Sequence, residues 1–135
     1  MRHRRVKSIF LFCIITIASS GCTWKKADSL PACNVDAKAT VSFQKNILPI
    51  FQRNCAVPDC HSGSNPEGNL NLEKEFAYER STRKGSGYVD TVNPYRSVIF
   101  SSLVSQSNPM PPDRPLSQCT IDSIVLWMRQ GARNN

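Results

Sequence analysis

The sequence predicts an all-α domain of about three short helices wrapped by long loops. Two observations carry that expectation. Apolar residues recur at helical spacing around residues 43–51, 98–103 and 121–128. Between those runs, many of the chain's nine prolines and six glycines break up any longer periodic element.

The first helix is expected to start at Ser42, a good N-cap. Phe43, Ile47, Ile50 and Phe51 then share one face. Pro49 falls inside this pattern and should kink or shorten the helix, because it lacks an N–H and its ring crowds the preceding turn. The helix delivers the chain to Cys55. Residues 62–69, rich in Gly, Ser, Asn and Pro, read as loop. Leu70 and Leu72 alternate with asparagines and suggest a short extended segment. A helical turn is expected near residues 76–80, and a basic, glycine-bearing loop over 83–87. A second helix should run from Pro94 to about Val104, with Asn93 as N-cap and Val98, Ile99 and Leu103 apolar. The last helix is capped by Ser117, although Thr120 stands where Glu or Gln would complete a capping box. Ile121, Ile124, Val125 and Met128 form its buried stripe, and Gly131 ends it.

Ahead of this domain lies a targeting pattern. Arg2, Arg4, Arg5 and Lys7 precede an apolar run from Ile9 to Ala18, followed by Ser19-Ser20-Gly21-Cys22. These are the basic, apolar and cleavage regions of a signal peptide. The apolar run is too short to span a bilayer as a helix. The small-small-Gly-Cys ending resembles a bacterial lipobox, with Ser19 where an aliphatic residue is usual. That implies cleavage before Cys22 and a lipid on its thiol. Ordinary secretion with Cys22 free or paired is the alternative. The expected organisation is a signal peptide over 1–21, a tether over 22–39 and a folded domain over 40–135. The mature protein would be exported and lipid-anchored to a bacterial membrane, facing the periplasm or the cell surface.

Export also changes the charge. Lys plus Arg falls from 17 to 13 without the signal's four, while Asp plus Glu stays at 10, so the net charge falls from +7 to about +3. With no basic stripe and interleaved aromatics, nucleic acid is not an expected partner. Lys25-Lys26 beside the lipid site suit phospholipid head groups.

The chemistry-bearing motif is Cys55-Ala56-Val57-Pro58-Asp59-Cys60-His61, a C-x4-C-H. It lengthens the spacer of the C-x-x-C-H signal for covalent haem. Two thiols add to the haem vinyl groups, and the adjacent His ligates iron. Cys60 and His61 must stay adjacent because the second thioether fixes the iron relative to the backbone. Chance occurrence, a disulfide loop and part of a zinc site are the competing readings. Further along, Asn108-Pro109-Met110-Pro111-Pro112 presents a methionine in a rigid, extended stretch. A thioether is a good sixth ligand for haem iron. His61 is the one histidine of the mature chain, since His3 leaves with the signal, so bis-histidine ligation within one chain is excluded. Met128 sits at core spacing on the last helix, which favours Met110 as distal ligand. Trp127, beside that stripe, is a candidate wall for the haem pocket.

Of the six cysteines, Cys13 leaves with the signal, Cys22 takes lipid, and Cys55 and Cys60 take haem. Cys33 and Cys119 remain. They are either a disulfide or two unrelated buried thiols. A bond between them would close a loop of about 87 residues, worth roughly 4 to 5 kcal/mol by loop-closure entropy.

These residues together resemble the small single-haem cytochrome c-like domains of exported bacterial lipoproteins, notably of Bacteroidetes. The resemblance rests on Val41-Ser42-Phe43, Ile47-Leu48-Pro49-Ile50-Phe51, Asn54-Cys55, Cys60-His61 and Gly68-Asn69-Leu70-Asn71-Leu72. It continues with Met110-Pro111-Pro112, Leu116-Ser117-Gln118-Cys119, Ile121, Ile124, Trp127, Gly131-Ala132 and Asn134-Asn135. It implies one covalent haem c on Cys55 and Cys60, His61 as proximal ligand, Met110 as distal ligand and pairing of Cys33 with Cys119. The expected function is electron transfer to a redox partner protein. No acid, base or nucleophile constellation appears, so no enzymatic activity is expected. Two alternatives stay open: an open iron site that binds peroxide or a diatomic gas, and a haem-free, disulfide-stapled lipoprotein.

Overall fold

A computed structural model describes Asp36 and residues 38–135 of the chain. The signal, Cys22, Cys33 and most of the tether lie outside the described residues. The chain divides into residues 1–31 and 32–135, and the second unit holds all of the described residues. Among the described residues there is no β-strand, and four α-helices carry the fold: α1 (Leu48–Asn54), α2 (Ala77–Thr82), α3 (Val98–Leu103) and α4 (Gln118–Arg129). The all-α expectation therefore holds. None of these helices is long and apolar enough to cross a membrane.

The first element begins where Ser42 caps it, its side chain accepting the Lys45 N–H at 3.2 Å. The first turn, Phe43–Ile47, is a π-helix, and α1 follows directly. Pro49 explains the widening. A proline ring at that position crowds the carbonyl four residues back, and a π turn moves that carbonyl away. The chain therefore accommodates Pro49 without ending the helix. Leu70 and Leu72 are buried at 5 % and 3 % exposure but form no strand. They follow a single 3-10 turn at Glu67–Asn69.

The expected helix over 94–104 is two pieces. Pro94–Arg96 is one 3-10 turn, Ser97 is extended (φ −66°, ψ 145°), and α3 starts after it. Asn93 makes no side-chain cap, whereas Ser97 accepts the Phe100 N–H at 3.3 Å. A serine able to cap locally outcompeted continuation of the helix. Helix α4 matches its sequence signals more closely. Ser117 accepts the Thr120 N–H at 3.2 Å. At the other end, Gly131 (φ +88°) closes a Schellman motif: Gly131 N–H donates to Met128 O and Ala132 N–H to Trp127 O, both at 3.0 Å.

The core gathers around Phe43, which is fully buried. Its ring lies 6.3 Å from Phe51, 5.1 Å from Tyr78 and 5.4 Å from Trp127. Ile47, Ile124, Trp127 and Met128 are at most 1 % exposed. Each such side chain contributes roughly 1.5–3 kcal/mol by leaving water. Residues 132–135 then clasp the start of the first helix. Asn135 accepts the Phe43 N–H on Oδ1 and the Gln44 N–H on its carbonyl, both at 3.0 Å. Helix-start donors need such partners when no turn precedes them. Trp127 Nε1–H donates to Arg133 O at 3.0 Å and the Tyr78 hydroxyl to Ala132 O at 3.1 Å. Trp127 is thus a member of this core and clasp.

Candidate functional site

Helix α1 ends at Cys55, whose N–H still reaches Phe51 O at 2.8 Å. From there the backbone folds back on itself. Val57 N–H donates to Cys55 O at 2.8 Å, Cys60 N–H to Val57 O at 3.1 Å, and His61 N–H to Cys55 O at 3.2 Å. Pro58 favours the turn, and Asp59 takes the left-handed conformation (φ +64°), which a short polar side chain tolerates. The longer spacer therefore closes as a compact, hydrogen-bonded loop. It joins the Cys55 carbonyl directly to the histidine's own N–H.

Cys55 and Cys60 are both free thiols and not joined to each other. Burial, and then the neighbouring Cys60, push the Cys55 thiol up to about 11. The pair is therefore close enough to interact electrostatically, and Cys55 stays protonated at neutral pH. Both cysteines and His61 are half-buried.

The imidazole of His61 is aimed by backbone carbonyls. Its Nδ1 lies 3.1 Å from Glu67 O and 3.1 Å from Leu70 O. Both partners can only accept, so the neutral ring carries its proton on Nδ1 and keeps a lone pair on Nε2. A metal-ligating histidine is typically held this way, its other nitrogen donating to a carbonyl. The segment that supplies Leu70 O is itself fixed. Leu72 N–H donates to His61 O at 2.8 Å, and Asn71 Nδ2–H donates to Gly63 O at 3.0 Å and Glu73 Oε2 at 2.8 Å. Sequence reasoning noted the Gly68–Leu72 stretch as a family feature but assigned it no role. Its Leu70 carbonyl, together with that of Glu67 just before it, fixes the His61 tautomer.

Two free thiols followed directly by a histidine with its lone pair on Nε2 form the donor set that covalent haem requires. The residues present fit the group. Among the described residues no group of three His, Cys, Asp or Glu could hold a metal ion.

Met110 lies on a separate loop. Its N–H donates to Ser102 O at 2.9 Å, which ties the loop to the end of α3, and the residue is half-buried. Met128 is fully buried in the core. Cys119, at the start of α4, is disulfide-bonded, and its partner lies outside the described residues. Two clefts are present elsewhere. One of about 310 Å3 lies at the clasp beside Trp127 and Arg133, and one of about 380 Å3 lies beside Gly63, Asn71 and Arg80. Neither is lined by Cys55, Cys60, His61 or Met110.

Comparison with known proteins bears on the same stretch. Residues 58–114, fewer than half of the chain, match a family model described as Planctomycete cytochrome C. The match begins inside the Cys55–Cys60 loop and takes in Cys60, His61 and Met110. It names a planctomycete family and not the Bacteroidetes-type lipoproteins that the sequence resembles. Neither the curated proteins nor the solved structures gave a match. Together with the all-α fold, the matched stretch supports a cytochrome c-like domain, a haem-binding class that implies covalent haem c and electron transfer.

Proposed function

We propose that this chain is an exported, lipid-anchored c-type cytochrome that transfers electrons through one haem, bound covalently by Cys55 and Cys60. His61 is the proximal ligand through Nε2, and Met110 is the distal ligand. The observation that carries this reading is the pair of carbonyls, Glu67 O and Leu70 O, on His61 Nδ1, next to two free thiols. When bound, haem supplies a reversible ferric–ferrous couple. The protein's own residues do the rest. Cys55 and Cys60 fix the group, the carbonyls raise the basicity of His61, and the clasped core holds α1 under the attachment loop.

Anchoring through Cys22, a Cys33–Cys119 disulfide and a redox partner protein complete the proposal. They rest on the lipobox-like ending, the cysteine arithmetic and the family resemblance. The direct experiment is expression with a cytochrome c maturation system, followed by an absorption spectrum. A low-spin spectrum with the weak long-wavelength band of a sulfur ligand is expected. A high-spin protein that binds carbon monoxide readily when reduced would instead favour the open-iron alternative. A colourless protein would reject the haem reading.

A further inference from the structure

The turn that holds His61 is itself held from outside, by a residue that no motif singled out. The Tyr88 hydroxyl donates to Gly68 O, in the middle of the Glu67–Asn69 turn. Glu67 O and Leu70 O, the two acceptors of the His61 Nδ1 proton, lie on either side of that carbonyl. Gly68 permits this approach twice over. Its φ of +61° suits a glycine, and a Cβ there would meet the Tyr88 hydroxyl at 3.2 Å.

Tyr88 is in turn anchored by its backbone. Its carbonyl accepts the Ile99 N–H at 3.2 Å, and the Gly87 carbonyl accepts the Val98 N–H at 2.9 Å. These are donors at the start of α3 that the helix cannot satisfy itself. The far end of α3 holds Met110 through Ser102 O. A single strut therefore runs from the Met110 loop through α3 and Tyr88 to the Gly68 carbonyl, between the two residues whose carbonyls face His61.

We propose that Tyr88 is a positioning residue for the haem iron. It acts on the iron only through His61, by holding the carbonyls that receive the Nδ1 proton. The inference rests on the reading of His61 as the proximal ligand. A firmly held Nδ1–H bond makes the imidazole a stronger donor and favours ferric iron. Loosening the turn weakens that bond and raises the reduction potential.

The test uses the haem-loaded chain. Tyr88→Phe removes the hydroxyl and keeps the ring. Compared with wild type, its reduction potential should rise. In the reduced protein, the His61 Nδ1 proton should exchange with solvent several-fold faster by NMR. Tyr95→Phe removes a hydroxyl that pairs with Arg129 at 2.7 Å, away from the turn, and should move neither reading. Gly68→Ala is a second route, since its Cβ crowds the same hydroxyl, and it should shift both readings in the same direction. Gly85→Ala has a similar φ of +79° and nothing within 4 Å, so it controls for backbone strain alone. Unchanged potential and exchange in haem-loaded Tyr88→Phe overturn this inference and leave the cytochrome reading standing. Absence of covalent haem from the wild type overturns both.

Discussion

The Ser97 hydroxyl lies 3.5 Å from the Met128 sulfur, in a part of the core where both residues are fully buried. The same hydroxyl donates to Pro94 O at 2.6 Å. Met128 is therefore a packing residue whose sulfur already faces a polar partner inside the domain. Met110, on its own loop, is the methionine proposed to meet iron.

The two methionines should respond oppositely to truncation. In the haem-loaded protein, Met110→Ala should erase the sulfur-to-iron band, lower the reduction potential and open the iron to added ligands. Met128→Ala should keep the band and cost roughly 2 to 5 kcal/mol of stability. Spectra and denaturant melts of both variants check this. Loss of the band in Met128→Ala, with Met110→Ala unchanged, would reverse the assignment.

Partial burial of the Cys55 thiol should make the haem-free chain alkali-sensitive. Its folded value of about 11 lies above the ordinary 9.0, chiefly through burial and then through Cys60. The unfolded chain therefore loses this proton first as pH rises. The contribution is intact below about pH 9 and is lost progressively between pH 9 and 11. Two pH units correspond to about 2 to 3 kcal/mol. Cys55→Ala should flatten this part of the pH–stability curve. The haem-loaded protein should lack it too, because a thioether sulfur has no proton to lose. Matching alkaline slopes for the haem-free wild type and Cys55→Ala would contradict the burial of the thiol.

The disulfide at Cys119 is proposed to reach Cys33. Non-reducing peptide mapping should recover one cross-linked peptide containing both. Cys33→Ser should lower stability by a few kcal/mol, given the loop of about 87 residues, and should leave haem attached. Recovery of Cys119 linked to another cysteine would replace this pairing.

Helix α4 was the most legible element in the sequence, because its cap, stripe and stop all act locally. Ser117, the Ile121–Met128 stripe and Gly131 each did what their residue type dictates. Helix α3 was less legible. Pro94 and Asn93 look like a start signal, yet Ser97 caps three residues later once its hydroxyl is buried against Met128. The π turn at Phe43–Ile47 follows from Pro49, but a kink and a widening satisfy the same constraint from sequence alone. The candidate attachment residues were visible because Cys55, Cys60 and His61 are chemically distinctive and close in sequence. Their supports were not. Glu67 O, Leu70 O and Gly68 O are backbone atoms, and any residue supplies a carbonyl. Tyr88 reaches Gly68 across 20 positions, a pairing that only the tertiary fold creates. The packing of Trp127 on Phe43 and its bond to the Arg133 carbonyl were likewise not visible in the sequence.

Haem held covalently by Cys55 and Cys60, with His61 beneath it, is the central claim. Acid-acetone extraction of protein matured with a cytochrome c assembly system, followed by intact mass, tests it most directly. Colour should stay with the protein, the mass should rise by one haem, and replacing both Cys55 and Cys60 by Ser should abolish the gain. Haem that extracts completely, or a protein that never acquires it, would contradict the claim.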